Sequence, residues 1–244
     1  MSRGGLIALA LAAASAGGVA LVAQREKPAV ERPRVALLTS LPLLFGETFG
    51  LDAPKAAAIE RIEQHYVIVP IAVADAASLE RQSLLLMAHP RAQPADVLVE
   101  LGEWVRVGGR VLLLADPKLN WDSELPLGDP LRPPPNFADT GLLEHWGVTL
   151  DGPRVDGPAM ARVERGEVMA SSPGTLSSRS RACRIVEGGF IARCIIGRGQ
   201  ATIIADADFL HVEGAGALDG PTAANLDLLI GELARIEKRR RDSD

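Results

Sequence analysis

The sequence predicts an α/β fold: an open, mostly parallel sheet covered by helices on both faces, making a three-layer sandwich. Three observations predict it. Apolar runs recur at Val35–Thr39, Ser83–Ala88, Arg110–Ala115 and Ala201–Ala205, and strands buried on both faces read this way. Segments with helical periodicity lie between several of them. Strand, helix and strand from Ser83 to Ala115 fit within about 35 residues, one βαβ unit whose crossover should be right-handed.

Taken in order, residues 4 to 24 carry no charge. Roughly 20 residues at about 1.5 Å each span about 30 Å, one hydrocarbon core. The expectation is an N-terminal transmembrane helix that holds the chain in the inner membrane by a single pass, with the domain in the periplasm. Cleavage after Ala14-Ser15-Ala16 is the alternative, and it would secrete the same domain to the same place. Arg25 and Lys27, beyond the span, weaken the positive-inside argument for this orientation. Residues 25 to 33, with two prolines, read as a linker, and residues 34 to 240 as a single α/β domain.

Val35 to Thr39 is the first strand. Residues 54 to 64 read as a helix with Pro54 in its first turn and Ile59 and Ile62 on one face. Tyr66 to Val73 is β-branched and apolar, a second strand. The strand at 83–88 closes at His89-Pro90. The helix at 94–107 sets Val97, Leu101, Trp104 and Val105 at helical spacing, and Gly108-Gly109 ends it. Arg110 to Ala115 is a strand ended by Asp116-Pro117. Residues 120 to 136 are dense in Pro, Gly and Asp and form a long loop. A short helix is expected at 139–147, with Asp139 as N-cap and Gly147 as stop. Turn-rich residues 151–160 precede strand-like pieces at 161–170, 181–187 and 190–196. Ala201 to Ala205 is the last strand, and 223–239 the last helix, with Leu226, Leu229, Ile230 and Leu233 apolar. The whole describes a flavodoxin-like sandwich with a 181–196 hairpin inserted before the final strand.

Composition narrows the function. The net charge of −5 and pI near 5.5 argue against a nucleic-acid groove, which needs clustered Lys and Arg. The exception is Lys238-Arg239-Arg240-Arg241, which reads as a solvated helix end where cations suit the dipole, contact with anionic lipid being the lesser reading. Cys183 and Cys194 flank Gly188-Gly189, a hairpin signal. With those glycines as the turn, the two cysteines fall opposite each other, in a hydrogen-bonded pair about 5.5 Å apart at Cα. In an exported protein such a pair would form a disulfide; two reduced thiols are the alternative. Zinc is not expected, because no CxxC or nearby His completes a site.

Motifs for catalysis are missing: there is no G-x-S-x-G, P-loop, H-E-x-x-H or strand-following G-x-G-x-x-G. Gly197-Arg198-Gly199 precedes a strand and reads as a turn. The four histidines (65, 89, 145 and 211) show no metal-like spacing. What remains is polar residues at strand carboxyl ends: Ser40 beside Thr39, His89, Asp116, Asp206 and Asp208. In an open α/β sheet these ends share an edge where ligands bind, so they form a candidate ligand cleft for a cation or sugar. The competing reading is that the carboxylates cap helix starts and loop amides.

Leu-Leu-Met-Ala-His-Pro (85–90) followed by Trp-Val-Arg-Val-Gly-Gly-Arg-Val-Leu-Leu-Leu-Ala-Asp-Pro (104–117) resembles the auxiliary domain of gliding-motility-type ABC transporters. Gly-Leu-Leu-Glu-His-Trp-Gly-Val (141–148) and the stretch 197–210 fit its later landmarks, so the likeness covers roughly residues 33 to 232. The resemblance implies a class I glutamine-amidotransferase-like fold without catalytic residues, cofactor or metal, docking on an ABC permease or another envelope protein. An amidotransferase would need a nucleophilic Cys at a strand–helix elbow, and the elbow after strand 110–115 holds Asp116-Pro117. Longer relatives commonly carry a second membrane span, whereas this sequence ends in a charged helix. A ligand-sensing domain and a carboxylate-based hydrolase stand as alternatives. The hydrolase requires Asp116, Asp206 and Asp208 to converge within a few ångströms.

Overall fold

The computed structural model describes residues 32–46, 55–212 and 223–241, and the side chains of this last stretch only as far as residue 238. The expected anchor at 4–24 and most of the linker lie outside the described residues. Among those described, no helix is long and apolar enough to cross a membrane.

Seven strands form the main sheet. Its parallel part contains β1 (Arg34–Thr39), β2 (Val67–Pro70), β3 (Leu84–Ala88), β4 (Arg110–Leu114) and β11 (Gly199–Ile204). The hairpin of β9 (Cys183–Val186) and β10 (Ile191–Ile196) joins it antiparallel through β10 and β11. The order across the sheet is β2-β1-β3-β4-β11-β10-β9. Two small antiparallel pairs lie outside it: β5 (Val148–Asp151) with β8 (Thr175–Ser178), and β6 (Pro158–Val163) with β7 (Gly166–Ser171).

Alternation along the central strands sorts the core into two layers. Val35, Leu37, Leu84, Leu86, Leu112 and Ile204 face α1 (Ala57–Glu63) and α5 (Ala223–Arg241), where Ile59, Leu229 and Leu233 meet them. Ala36, Leu38, Leu85, Met87, Val111 and Ile203 face the other way, with α2 (Ala76–Leu79), α3 (Ala95–Arg106) and α4 (Leu142–Trp146). Leu79, Val97, Leu101, Val105 and Trp146 complete that second layer. A parallel sheet with both faces apolar needs both coverings, so the chain is a three-layer α/β protein.

Glycine permits one close approach. A Cβ on Gly199 would lie 2.0 Å from the Val105 carbonyl oxygen and 2.3 Å from that of Gly109. The start of β11 can therefore pass the end of α3 only without a side chain.

Several expectations need correction. The strand-like piece at 161–170 folds back on itself, because Glu164 and Arg165 form the turn of the β6–β7 hairpin. The strand expected at 66–73 stops at Pro70, which ends the edge strand. The helix expected at 139–147 is only Leu142–Trp146, although Asp139 still accepts the amides of Gly141 and Leu143 at 3.1 Å. Strands β5 and β8 and helix α2 were not expected: they are four residues each, too short to display a period.

The cysteine register holds: Cys183 is opposite Cys194 and the two form a disulfide. Their Cα atoms are 4.0 Å apart, not the wider spacing of a hydrogen-bonded pair. The Ile195 amide donates to the Ala182 carbonyl at 2.8 Å, so the cysteines are a non-hydrogen-bonded pair. Glu187, Gly188 and Gly189 all have positive φ and close as a 3-10 turn, which shifts the phase of the ladder.

Candidate functional site

Asp116 follows β4 and Asp206 follows β11, and these strands are neighbours, so their carboxyl ends deliver both aspartates to one spot. Asp208 lies two residues on, in a 3-10 turn. One carboxylate oxygen from each of the three lies within 4.8 Å of the others. Asp116 and Asp206 are fully buried and Asp208 is 8% exposed. Sequence reasoning grouped these residues on the sheet's carboxyl edge, and the structure brings these three together.

Ser40 and His89 form a separate pair. The Ser40 hydroxyl donates to the His89 carbonyl at 2.5 Å. Nε2 of His89 lies 2.9 Å from the Pro134 carbonyl, so it is the protonated nitrogen, while Nδ1 is buried without a partner. Burial, the largest influence, holds the imidazole below its ordinary pKa. The residue has φ of +46°, a backbone strain at the point where β3 gives way to its loop. No hydrogen bond joins this pair to the aspartates among the described residues.

Backbone amides occupy most of the carboxylate oxygens. Oδ2 of Asp116 accepts the amides of Ala207 at 2.8 Å and Asp208 at 3.3 Å, and its Oδ1 accepts that of Lys118 at 2.9 Å. Asp206 takes the amides of Phe209 at 2.8 Å and Ser171 at 3.0 Å. Oδ2 of Asp208 takes the Asn120 amide at 2.8 Å, while its Oδ1 is buried without a partner. The aspartates thus fasten the loops after β4, β11 and β7 to one another, as the capping reading expects.

No Lys or Arg side chain bonds to any of the three among the described residues, so burial governs their protonation. Asp116 is pushed up to about 7 by burial, with the charge of Asp208 adding and the amides opposing. Burial and then the charge of Asp116 hold Asp206 well above the ordinary carboxyl range. Asp208 is also raised by burial, against the pull of Asn120. Three carboxylates this close could ligate a hard cation. Yet none of Ser40, His89, Asp116, Asp206 and Asp208 lines the surface clefts of about 750, 660 and 220 Å³.

Sequence reasoning missed Asn225 and Glu232. The Asn225 side chain accepts the Met169 amide and donates to the carbonyls of Met169 and Phe209, each at 2.9 Å. Glu232, 2% exposed, holds Arg193 of β10 through contacts of 2.6 and 3.2 Å. A signal existed: positions 225 and 232 are seven apart, on the buried stripe that includes Leu229.

No protein family and no curated protein matches the chain. Among solved structures, it is similar to a cytoplasmic protein from Salmonella typhimurium, with 12% identity over 83% of this chain and 98% of that one and a TM-score of 0.52. It is also similar to the exo-β-1,4-mannosidase Op5Man5 from Opitutaceae bacterium strain TAV5, with 16% identity, 83% of this chain covered and a TM-score of 0.50. The chain spans 36% of that mannosidase. At such identities the likeness is one of fold alone.

Proposed function

We propose that the chain is a non-catalytic accessory domain of an ABC-type transport system, exported and held at the inner membrane through residues 4–24. It works through its protein surface, without a cofactor, on an ABC permease or another envelope protein. Its fold, in this reading, is the class I glutamine-amidotransferase-like variant of the flavodoxin-like sandwich.

Asp116 carries the reading. It follows β4, where the resemblance would set such an enzyme's nucleophilic Cys, and it is fully buried; the next helix, α4, begins only at Leu142. Its oxygens are engaged by three backbone amides, so it supports a fold and has no face toward a substrate. Both cysteines are joined across β9 and β10, away from Asp116 along the sheet. The three aspartates converge as a carboxylate-based hydrolase would need, but full burial of Asp116 and Asp206, with amides on their oxygens, speaks against that reading.

The test is crosslinking of the intact chain in membranes, followed by capture and mass spectrometry. ABC permease or ATPase subunits should be recovered, and should be lost when residues 1–24 are replaced by a cleavable signal. Recovery of the chain alone would overturn the reading. The convergence of three carboxylates favours one second reading, a domain that senses a cation. A rise of several degrees in Tm with millimolar calcium or magnesium would support it.

A further inference from the structure

The parallel strands all begin at one edge of the sheet, and arginine marks most of those starts. Arg34 opens β1, Arg81 precedes β3 by three residues, Arg110 opens β4 and Arg198 immediately precedes β11. Strand β9 is antiparallel to β10, which is antiparallel to β11. It therefore starts at the same edge, with Arg181 just ahead of it. From β1 to β9 lie five spacings of about 4.8 Å, so this row is about 24 Å long.

Arg34, Arg81, Arg181 and Arg198 are exposed and make no ion pair among the described residues. Arg110 is buried and its guanidinium donates to the Gly108 carbonyl at 3.0 Å. Helix α5 ends here as well. Near its start Asn225 reaches Phe209 beyond the carboxyl end of β11, and near its end Glu237 reaches the Tyr66 hydroxyl just before β2. The last turn, Lys238 to Arg241, thus belongs to the same edge. Acids are fewer: Glu63 pairs with Lys55, Glu103 with Arg106, and Glu237 bonds Tyr66, leaving Glu80. Apolar side chains stand among the cations, Val107 61% and Ile195 54% exposed. The opposite edge mixes signs: Asp122, Asp139 and Asp156 stand with Arg91, Lys118, Arg132 and Arg154, and Lys118 pairs with Asp156. The arginine row is a local excess of positive charge in a chain of net charge −5.

In sequence, the uncharged stretch 4–24 leads through residues 25–31 to Arg32, two residues ahead of β1. We propose that this edge docks on an anionic phospholipid surface, an inference that rests on the anchored reading above. Exposed cations beside a membrane segment gain from anionic headgroups within a Debye length. An apolar segment plus a basic patch is the two-signal arrangement that makes membrane attachment stable. Nucleic acid offers exposed Val107 and Ile195 nothing apolar, whereas a bilayer surface does.

The test reconstitutes the full chain in nanodiscs of phosphatidylcholine, with or without phosphatidylglycerol, and follows arginine modification by phenylglyoxal with mass spectrometry. On anionic discs Arg81, Arg181 and Arg198 should react at least fivefold more slowly than on neutral ones, with protection lost in half-molar salt. Arg154, in the loop that carries Asp156, should react equally on both. Replacing Arg81, Arg181 and Arg198 by Gln should return Arg34 to its neutral-disc rate, because three lost charges lower the docked ratio roughly a hundredfold. Circular dichroism checks that this variant folds. Equal rates on both discs, with the chain retained, would overturn the docking and leave the anchor standing. Protection in native membranes but not on anionic discs would also overturn it, in favour of an acidic protein. Loss of the chain from neutral discs would overturn the anchored reading itself.

Discussion

Raising the pH from about 4 to 8 should destabilise this protein, because its buried aspartates hold their protons better in the folded state. Asp116 moves from an ordinary 3.8 up to about 7 on folding. A carboxyl with a raised folded pKa contributes stability that is fully present below its unfolded pKa and is lost as pH climbs through the folded one. For Asp116 that window runs from about 4 to about 7, and the loss is on the order of 4 kcal/mol. Against a typical folding stability of roughly 5–15 kcal/mol, this should lower Tm by on the order of 10 °C. Asp206, held well above the ordinary carboxyl range by burial and then by the charge of Asp116, acts in the same sense. Asp75, Asp156 and Glu164 act in the opposite sense. Hydrogen bonds and, for the last two, cationic neighbours lower them, so their contribution is lost only in acid below about 4. The stability maximum should therefore lie near pH 4 to 5. Thermal melts from pH 4 to 8.5, on the native chain and on Asp116→Asn, check it. The variant should be less stable at pH 5 by about 1–3 kcal/mol, since an amide offers one acceptor oxygen where the carboxyl offers two. Its decline towards pH 8 should be shallower. A native Tm that is flat or rises between pH 5 and 8 would refute the reasoning.

Three further outcomes are expected. Gly199→Ala should cost at least about 3 kcal/mol, read as a lower denaturant midpoint, because two backbone carbonyls block the new Cβ. Reducing the Cys183–Cys194 bond should cost about 2–4 kcal/mol, measured by melts with and without dithiothreitol after thiol counting. Arg193→Met should cost about 1–3 kcal/mol, because buried Glu232 loses the Arg193 fork but keeps Arg235 at 3.3 Å, and adding Glu232→Leu should recover much of that loss; paired denaturant curves decide it.

The main sheet was legible because its strands bury both faces: Val35–Leu38, Leu84–Ala88 and Arg110–Leu114 read as apolar runs whatever surrounds them. The hairpin register followed from Gly188-Gly189, since local turn chemistry sets which residues face each other. The short pieces β5, β8 and α2 were not legible, because four residues carry no period and owe their shape to what packs on them. The sequence alone put Asp116, Asp206 and Asp208 at strand ends, and so on one edge. Only the tertiary structure decided that β4 and β11 are neighbours, which brings the three carboxylates together, and that loop amides converge on them. Likewise the scattered arginines became a row only once the strands were laid parallel. Sequence patterns report how each segment meets water or core; which segments meet one another is set by long-range pairing that no local period encodes.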